Sequence, residues 1–163
     1  MSVPLTRVAE RVGGAPPAAD PLITDVVHDS RRAGPGVLFA CIPGSRADGH
    51  DFAAGAVEAG APALLVERPL HLGVPEIVVA RVRTAIGPAA AAVHGDPSRH
   101  LDLVGVTGTN GKTTTVHILA ALMNNLGVRA RGIGTLTGVR TTPEAPELQR
   151  QLAAAVAAGE RVV

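Results

Sequence analysis

The chain has 163 residues, of which 46% are hydrophobic and 18% are charged, and its formal net charge is +1. This composition is typical of a globular protein and excludes a disordered or fibrous chain. With two Phe, no Trp and no Tyr, the chain lacks both the basic field and the stacking surfaces of nucleic-acid-binding proteins, so we expect no nucleic-acid partner.

Compartment and membrane association follow from the cysteine and the apolar runs. Cys41 is the only cysteine, which excludes an internal disulfide and favours a reducing compartment. Its place after an apolar run predicts core packing. No window reaches 18 apolar residues and no signal-peptide pattern opens the sequence, so we predict a cytoplasmic protein without membrane insertion.

The first part of the chain alternates strand and helix patterns. Leu5, Val8 and Val12 recur at helical spacing and predict an amphipathic helix before the turn-rich run 13–21. Apolar runs predict strands at Ile23–Val27, Val37–Ile42, Ala63–Val66 and Glu76–Ala80, and helical patterns predict helices at Asp51–Ala59, with Asp51 as the N-cap, and at Arg83–His94. This alternation predicts a small α/β domain.

Gly-Asp-Pro-Ser at 95–98 predicts a boundary between two domains, 1–98 and 99–163. The second region has the order β-loop-α-β-α-β, which predicts a parallel sheet. Its predicted elements are strands at Leu101–Val106 and Arg129–Thr135, a helix at Lys112–Leu126, a helix from Thr142 as N-cap to Ala158, and a strand beginning at Arg161–Val163. Because so few strands cannot cover a parallel sheet, we expect the truncated start of a larger domain.

A glycine-rich turn between the strand and the helix of this region predicts a phosphate-binding loop. The segment runs Gly105-Val106-Thr107-Gly108-Thr109-Asn110-Gly111-Lys112-Thr113-Thr114. Small residues let main-chain N–H groups surround a polyphosphate, and the helix N-terminus adds positive potential. Lys112 would reach the β and γ phosphates, and the Thr113 hydroxyl would hold Mg²⁺. The alternative is a glycine-rich turn without a ligand.

The identity of the basic residues supports this interpretation. Fourteen of the fifteen basic residues are Arg, and Lys112 is the only Lys. An Arg has a wider, rigid head, whereas a Lys is a compact point charge that fits within a tight loop.

The loop 107–114 resembles the ATP loop of the Mur ligases and of their folylpolyglutamate synthase relatives. Other segments agree with that family: Asp29-Ser30-Arg31, Leu38-Phe39, Gly44, Ala47-Asp48-Gly49-His50-Asp51-Phe52, Gly95-Asp96-Pro97-Ser98 and Thr141-Thr142-Pro143-Glu144. The last segment is similar to one found in UDP-N-acetylmuramoyl-tripeptide synthetases. The resemblance covers residues 23–163 and implies a substrate domain followed by a P-loop ATPase domain.

The resemblance implies an ATP-dependent amide ligase of peptidoglycan synthesis. Such an enzyme adds a diamino acid, meso-diaminopimelate or lysine, to UDP-MurNAc-L-Ala-D-Glu and uses ATP and Mg²⁺. The resemblance assigns ATP binding to Gly108, Thr109, Asn110, Gly111, Lys112, Thr113 and Thr114, with Lys112 as the catalytic residue and Thr113 at the metal. It assigns substrate binding to His28, Ser30, Ser45, Arg46, Ala47, Thr141 and Thr142. Arg31 joins this set because its charge suits a diphosphate, and we expect a monomer.

Several alternatives remain open at the level of the sequence. The Arg side chains of the first domain fit an ordinary solvated loop as well as a diphosphate site. Thr142 before Pro143 also fits a simple helix start. The chain ends before the family's second Mg²⁺ ligand, so we expect it not to catalyse the full reaction by itself. The remaining alternatives are another Mur or folylpolyglutamate-type ligase and a non-catalytic UDP-sugar or ATP-binding remnant.

His50 lies between Asp48 and Asp51 in the resembling segment. This spacing is compatible with acid–base chemistry, but we predict that His50 instead makes a hydrogen bond that orders the loop.

Overall fold

A computed structural model describes residues 2–45, 47–134 and 143–163. The chain divides into two compact units, Met1–His94 and Gly95–Val163. The division falls four residues before the boundary expected from the Gly-Asp-Pro-Ser segment. The mixed α/β class predicted from the sequence is confirmed in the described residues.

The first unit is built on a parallel sheet. Its elements in chain order are β1 (Val3–Pro4), α1 (Leu5–Val12), β2 (Leu22–Ile23), β3 (Asp25–Val27), β4 (Val37–Ala40), α2 (Ala53–Glu58), β5 (Ala63–Val66), β6 (Glu76–Val78) and α3 (Val82–Val93). The sheet has the strand order β3-β4-β5-β6, with every neighbouring pair parallel. β1 and β2 form a separate antiparallel pair.

Apolar side chains cover both faces of this sheet. Successive residues of a strand point to opposite faces, so a continuous apolar run supplies both. Val27, Phe39, Leu64 and Val66 form one buried cluster, together with Ala53 and Ala56 of α2. α3 contacts β3 and β5, and α1 packs on α3. Burial on both faces is the usual condition of a parallel sheet, and burying a side chain of the size of Phe39 contributes roughly 2–3 kcal/mol.

The predicted strand at Ile23–Val27 is wrong in one respect, because it is two strands rather than one. At Thr24 the main-chain N–H and the hydroxyl both donate to the Gly36 carbonyl, at 2.7 and 3.1 Å. The chain therefore changes partner at this residue: Leu22–Ile23 pairs with β1, and Asp25–Val27 pairs with β4.

The predicted N-cap at Asp51 is also wrong. A 3₁₀ helix, Gly49–Phe52, precedes α2, and Asp48 caps it by accepting the His50 N–H at 3.0 Å. The carboxylate that caps a helix must precede the first turn, and the extra 3₁₀ turn moves that position from 51 to 48.

The second unit contains two described α-helices, α4 (Lys112–Asn125) and α5 (Ala145–Ala157). The predicted strands at 101–106 and 129–135 are wrong as regular strands. In the described residues they form isolated parallel bridges, Asp102 to Val162 and Ala130 to Val162, supported by Asp102 N–H to Arg161 carbonyl at 2.8 Å. Val104 N–H also donates to the Val163 carbonyl at 2.9 Å. Leu103 and Val104 are 49% and 46% exposed, so little packing covers this pairing.

The start of α5 differs from the prediction as well. Glu144 occupies the N-cap and Pro146 lies in the first turn, so the helix begins at Ala145. Thr142, the predicted cap, and Thr135 lie outside the described residues. Leu101, Leu152 and Ala155 form the small buried cluster of this unit. In the described part of the chain, no helix has the length and apolarity needed to cross a bilayer.

Candidate functional site

The predicted phosphate loop connects the extended segment after Leu101 to the first turn of α4. Gly111 occupies the N-cap of α4 with a φ of +80°, a left-handed conformation that favours glycine. Its carbonyl accepts the first helical hydrogen bond, from Thr115 N–H at 2.9 Å. The first-turn N–H groups of α4 therefore face the loop, which is the arrangement that attracts phosphate at a helix start.

Lys112 extends back across this loop. Its Nζ donates to the Gly108 carbonyl at 2.6 Å and lies 3.4 Å from the Thr109 carbonyl. The cation is thus placed over the loop backbone, among the residues predicted to surround the triphosphate. The loop positions 107–110 are exposed, so a charged ligand reaches them without displacing the core.

A cavity of about 290 Å³ opens beside the loop within the second unit. Gly105, Lys112 and Thr113 line one part, and Leu148 and Leu152 of α5 line another. Thr113 and Lys112 both line this cavity. Their side chains are the types that fit an Mg²⁺–phosphate pair: one hydroxyl oxygen for the metal and one cation for the phosphate.

In the first unit, the predicted substrate residues follow the carboxyl ends of β3 and β4. His28 and Ser30 come after β3, and Ser45 and Ala47 come after β4. Carboxyl ends of neighbouring parallel strands lie at one edge of the sheet, and ligands of open α/β sheets bind at that edge. The structure therefore places these four residues at one edge, whereas Arg46, Thr141 and Thr142 lie outside the described residues.

Arg31 is held by its neighbour Asp29. Its Nε and Nη2 donate to the two carboxylate oxygens at 2.9 and 2.6 Å, and Asp29 also accepts the Arg31 main-chain N–H at 3.1 Å. The side-chain hydrogen bonds from Arg31 lower the pKa of Asp29 to about 2. The guanidinium that sequence reasoning assigned to a diphosphate thus already has a carboxylate partner, and it is 86% exposed.

The chain after β4 makes a turn closed by a bridge between Pro43 and Asp48, with Gly44 N–H donating to the Ala47 carbonyl at 3.0 Å. Gly49 follows the turn and lies against the Ile42 backbone. A Cβ at this position would lie 2.5 Å from the Ile42 nitrogen, so the close approach requires glycine. Ser45 and Ala47 are exposed on this turn.

His50 makes the predicted loop-ordering hydrogen bond. Its Nδ1 lies 2.6 Å from Asp48 Oδ1, and the His50 N–H bonded to the same carboxylate holds the pKa of Asp48 well below its usual range. Sequence reasoning missed two further partners. Glu67 N–H donates to His50 from 17 residues away, Arg68 donates to Asp48 from 20 residues away, and no local pattern connects them.

Cys41 is a buried free thiol, which confirms the predicted core packing. Burial raises the pKa of this thiol to about 12. A thiol in this state is a poor nucleophile at neutral pH, so Cys41 belongs to the core and not to a reactive site.

Comparison with known proteins relates the chain to one family. A family profile described as "Mur ligase family, catalytic domain" matches residues 22–136. The UDP-N-acetylmuramoyl-L-alanyl-D-glutamate--2,6-diaminopimelate ligase of Geobacillus thermodenitrificans is 46% identical over 140 residues, which cover 80% of this chain and 29% of that protein.

Solved structures agree with the sequence matches. A structure of a UDP-N-acetylmuramoyl-L-alanyl-D-glutamate--2,6-diaminopimelate ligase superposes with a TM-score of 0.74 at 26% identity, over 99% of this chain and 35% of that one. The MurF ligase of Thermotoga maritima in complex with ADP superposes with a TM-score of 0.59 at 27% identity, over 79% of this chain and 28% of that one. The chain thus spans about 30% of the length of the proteins it matches.

Proposed function

The chain belongs to the Mur ligase family. We propose that it supplies two parts of an ATP-dependent amide ligase: the ATP loop and the sheet edge that binds the nucleotide-linked substrate. The reaction joins a diamino acid to UDP-MurNAc-L-Ala-D-Glu. Of the two diamino acids that the resemblance allows, the name of the 46% identical relative favours 2,6-diaminopimelate over lysine. The observation that carries the proposal is the placement of Lys112 across a glycine loop at the start of α4.

The proposed chemistry has two steps. The free glutamyl carboxylate attacks the γ-phosphorus of ATP, which breaks the bond to the β–γ bridging oxygen and leaves an acyl phosphate and ADP. The amine of the diamino acid then attacks the acyl carbon, and phosphate leaves as the amide forms and the amine loses a proton. Phosphoryl transfer gains most of its rate from positioning and charge stabilisation.

Residues of the second unit fit the first step. Lys112 would place its cation at the β and γ phosphates, and the loop glycines let the main-chain N–H groups approach the same oxygens. Thr113 would hold Mg²⁺, which when bound neutralises part of the triphosphate charge. The remaining loop residues assigned to ATP, Thr109, Asn110 and Thr114, lie beside Lys112 in sequence and are exposed.

The edge of the first-unit sheet would hold the uridine diphosphate part of the second substrate. His28, Ser30, Ser45 and Ala47 lie at this edge, and Arg46 adds positive charge for a diphosphate. Arg31 is exposed beside them, and binding a diphosphate would require it to exchange or share its Asp29 partner. Thr141 and Thr142 would contact the muramoyl-peptide part. ATP and nucleotide-linked precursors are cytoplasmic compounds, so we place the activity in the cytoplasm. We also propose that the protein acts as a monomer.

ATP binding to the 163-residue chain tests the proposed loop. Titration calorimetry with ATP and Mg²⁺ should show one site, and Lys112→Met should weaken it by about 10- to 100-fold, as expected for loss of a charged hydrogen-bond donor. Arg99→Met, which removes an exposed cation outside the loop, should leave the affinity unchanged. Equal affinities of wild type and Lys112→Met would reject the assignment.

Competition between substrates tests the proposed ligase class. UDP-MurNAc-L-Ala-D-Glu should bind the chain, and a folate should not compete with it. Competition by the folate would favour a folylpolyglutamate-type ligase instead. We further propose that this chain alone does not complete the ligation, since it spans about 30% of its relatives, and turnover in an assay with ATP, Mg²⁺, both substrates and this chain would contradict that.

A further inference from the structure

His50 is the only buried polar or charged residue among those that the structure describes, at 5% exposure. Both nitrogens of its ring have partners. Nε2 accepts the Glu67 main-chain N–H at 3.0 Å, so Nε2 carries no proton. Nδ1 therefore carries the proton of the neutral ring and donates it to Asp48 Oδ1 at 2.6 Å. The ring thus has a defined tautomer, set by one partner on each side.

The two partners belong to different parts of the first unit. Asp48 closes the turn that begins at Pro43, and its second oxygen accepts a hydrogen bond from Arg68 Nη2 at 3.0 Å. Glu67 follows the carboxyl end of β5, and its carboxylate accepts the Val82 N–H at the start of α3, at 2.8 Å. His50 therefore connects the turn after β4 to β5 and, through Glu67, to α3.

Besides His50, main-chain hydrogen bonds and the Arg68 bond to Asp48 hold this turn. Ser45 and Ala47 are exposed, so no core packing fixes their positions. The base of the turn is held by the Pro43–Asp48 bridge, by the Gly49 N–H bond to the Ile42 carbonyl, and by the His50 connection.

We propose that His50 is a positioning residue that holds the turn bearing Ser45 and Ala47 in the conformation that receives the diphosphate of the nucleotide substrate. The inference rests on the proposed function. A loop fixed before binding avoids the ordering cost on binding, so loss of the His50 bonds should appear as weaker affinity for the nucleotide.

Three substitutions separate the two bonds of the ring. His50→Ala removes both. His50→Asn places an amide near the position of Nδ1 and keeps a donor for Asp48. His50→Gln reaches the position of Nε2 and keeps an acceptor for the Glu67 N–H. Because the ring is buried, Arg68→Met serves as a fourth variant: Arg68 is exposed, and its loss removes only the outer hydrogen bond to Asp48.

Calorimetric titration with UDP-MurNAc-L-Ala-D-Glu is the readout, at a temperature well below the melting transition of every variant. His50→Ala should weaken binding by about tenfold, Asn and Gln should each recover part of that loss, and Arg68→Met should weaken binding by about two- to threefold. Hydrogen exchange of the amides of residues 44–49 should accelerate in the same order. ATP affinity, which reports on the other unit, should not change.

His71→Asn is the matched control, because His71 is an exposed histidine of the same unit with a φ of +57°, a conformation that Asn tolerates. It should bind the nucleotide as wild type does. A His50→Ala chain that melts lower but binds with wild-type affinity would overturn the inference alone. Failure of the wild-type chain to bind the nucleotide would overturn the proposed function and this inference with it.

Discussion

The two units share a local pattern of an apolar run, a loop and a helix. They differ in how far the apolar side chains of that pattern are buried. In the first unit, four paired strands form a sheet on which helices pack, and residues such as Leu38, Phe39 and Leu64 are completely buried. In the second unit, α4 has no buried residue, and Ile118, Leu122 and Leu126 are 55%, 54% and 78% exposed. A local pattern therefore specifies a helix. Burial of the helix's apolar side chains depends on the sheet against which the helix packs.

This difference also separates the two candidate sites. The turn after β4 is attached to a packed sheet through a buried histidine, whereas the phosphate loop is held by its own main chain, by Lys112 and by the start of α4. Four tests of this comparison follow, from the largest expected effect to the smallest.

Removing a large side chain from the packed unit should have the greatest effect. Phe39→Ala should lower the free energy of unfolding by about 3–5 kcal/mol, because Phe39 is fully buried between the sheet and α2. Leu122→Ala, an apolar deletion on the exposed face of α4, should change it by less than about 0.5 kcal/mol. Urea denaturation measures both, and equal losses would contradict the contrast between the units.

A glycine pair tests how closely the turn after β4 is packed. Gly49→Ala should destabilise the first unit by about 1–3 kcal/mol, because its Cβ would meet the Ile42 backbone at 2.5 Å. Gly55→Ala in α2 has open space around its Cβ and should stabilise the unit by about 0.5–1 kcal/mol through helix propensity. Thermal unfolding followed by circular dichroism should show opposite signs. The same sign for both would refute the close approach.

The end of α4 offers a polar counterpart in the second unit. The Asn124 side chain exchanges two hydrogen bonds with the Ala130 main chain, at 2.8 and 3.1 Å. Asn124→Ala should cost about 1 kcal/mol and should speed hydrogen exchange at Ala130, since this unit has little apolar burial to compensate. Asn125→Ala, the neighbouring substitution, is the control and should leave exchange at Ala130 unchanged.

The smallest effect concerns Asp29, whose pKa is lowered from 3.8 to about 2 mainly by the side-chain hydrogen bonds of Arg31. Since the folded-state pKa is the lower one, the ionised carboxylate stabilises the folded loop above about pH 4, and that stabilisation disappears as the pH falls toward 2. An NMR titration of the Asp29 carboxyl should show the depressed midpoint. Arg31→Met should return it toward 3.8, and a wild-type midpoint already near 3.8 would contradict the ion pair.

Local signals in the sequence were sufficient for most elements of the first unit. Ala63–Val66 is a strand with the predicted bounds, α3 begins and ends within one residue of the predicted helix, and α1 contains the three apolar residues that predicted it. Apolar periodicity and glycine stops act over a few residues. The division of Ile23–Val27 at Thr24 was not predictable, since it depends on a hydrogen-bond partner at Gly36.

The two candidate sites also differ in what the sequence could predict. The phosphate loop could be recognised from its glycines, its lone lysine and its place before a helix, and the family to which these residues point is confirmed by the match over residues 22–136. The roles of the individual residues stay predictions. Glu67 and Arg68 could not be found from sequence, because only the parallel pairing of β4 and β5 brings Glu67 to His50 and Arg68 to Asp48.

The sequence by itself indicated the approximate positions of most helices, the α/β class, the glycine-rich loop before α4 and the family, because each rests on side-chain chemistry and spacing over about ten residues. Tertiary structure decided which strands are continuous, which carboxylate caps the turn before α2, the tautomer of His50, and which apolar faces are covered. Each of these depends on a partner distant in sequence, and folding alone brings such partners within hydrogen-bond or van der Waals distance.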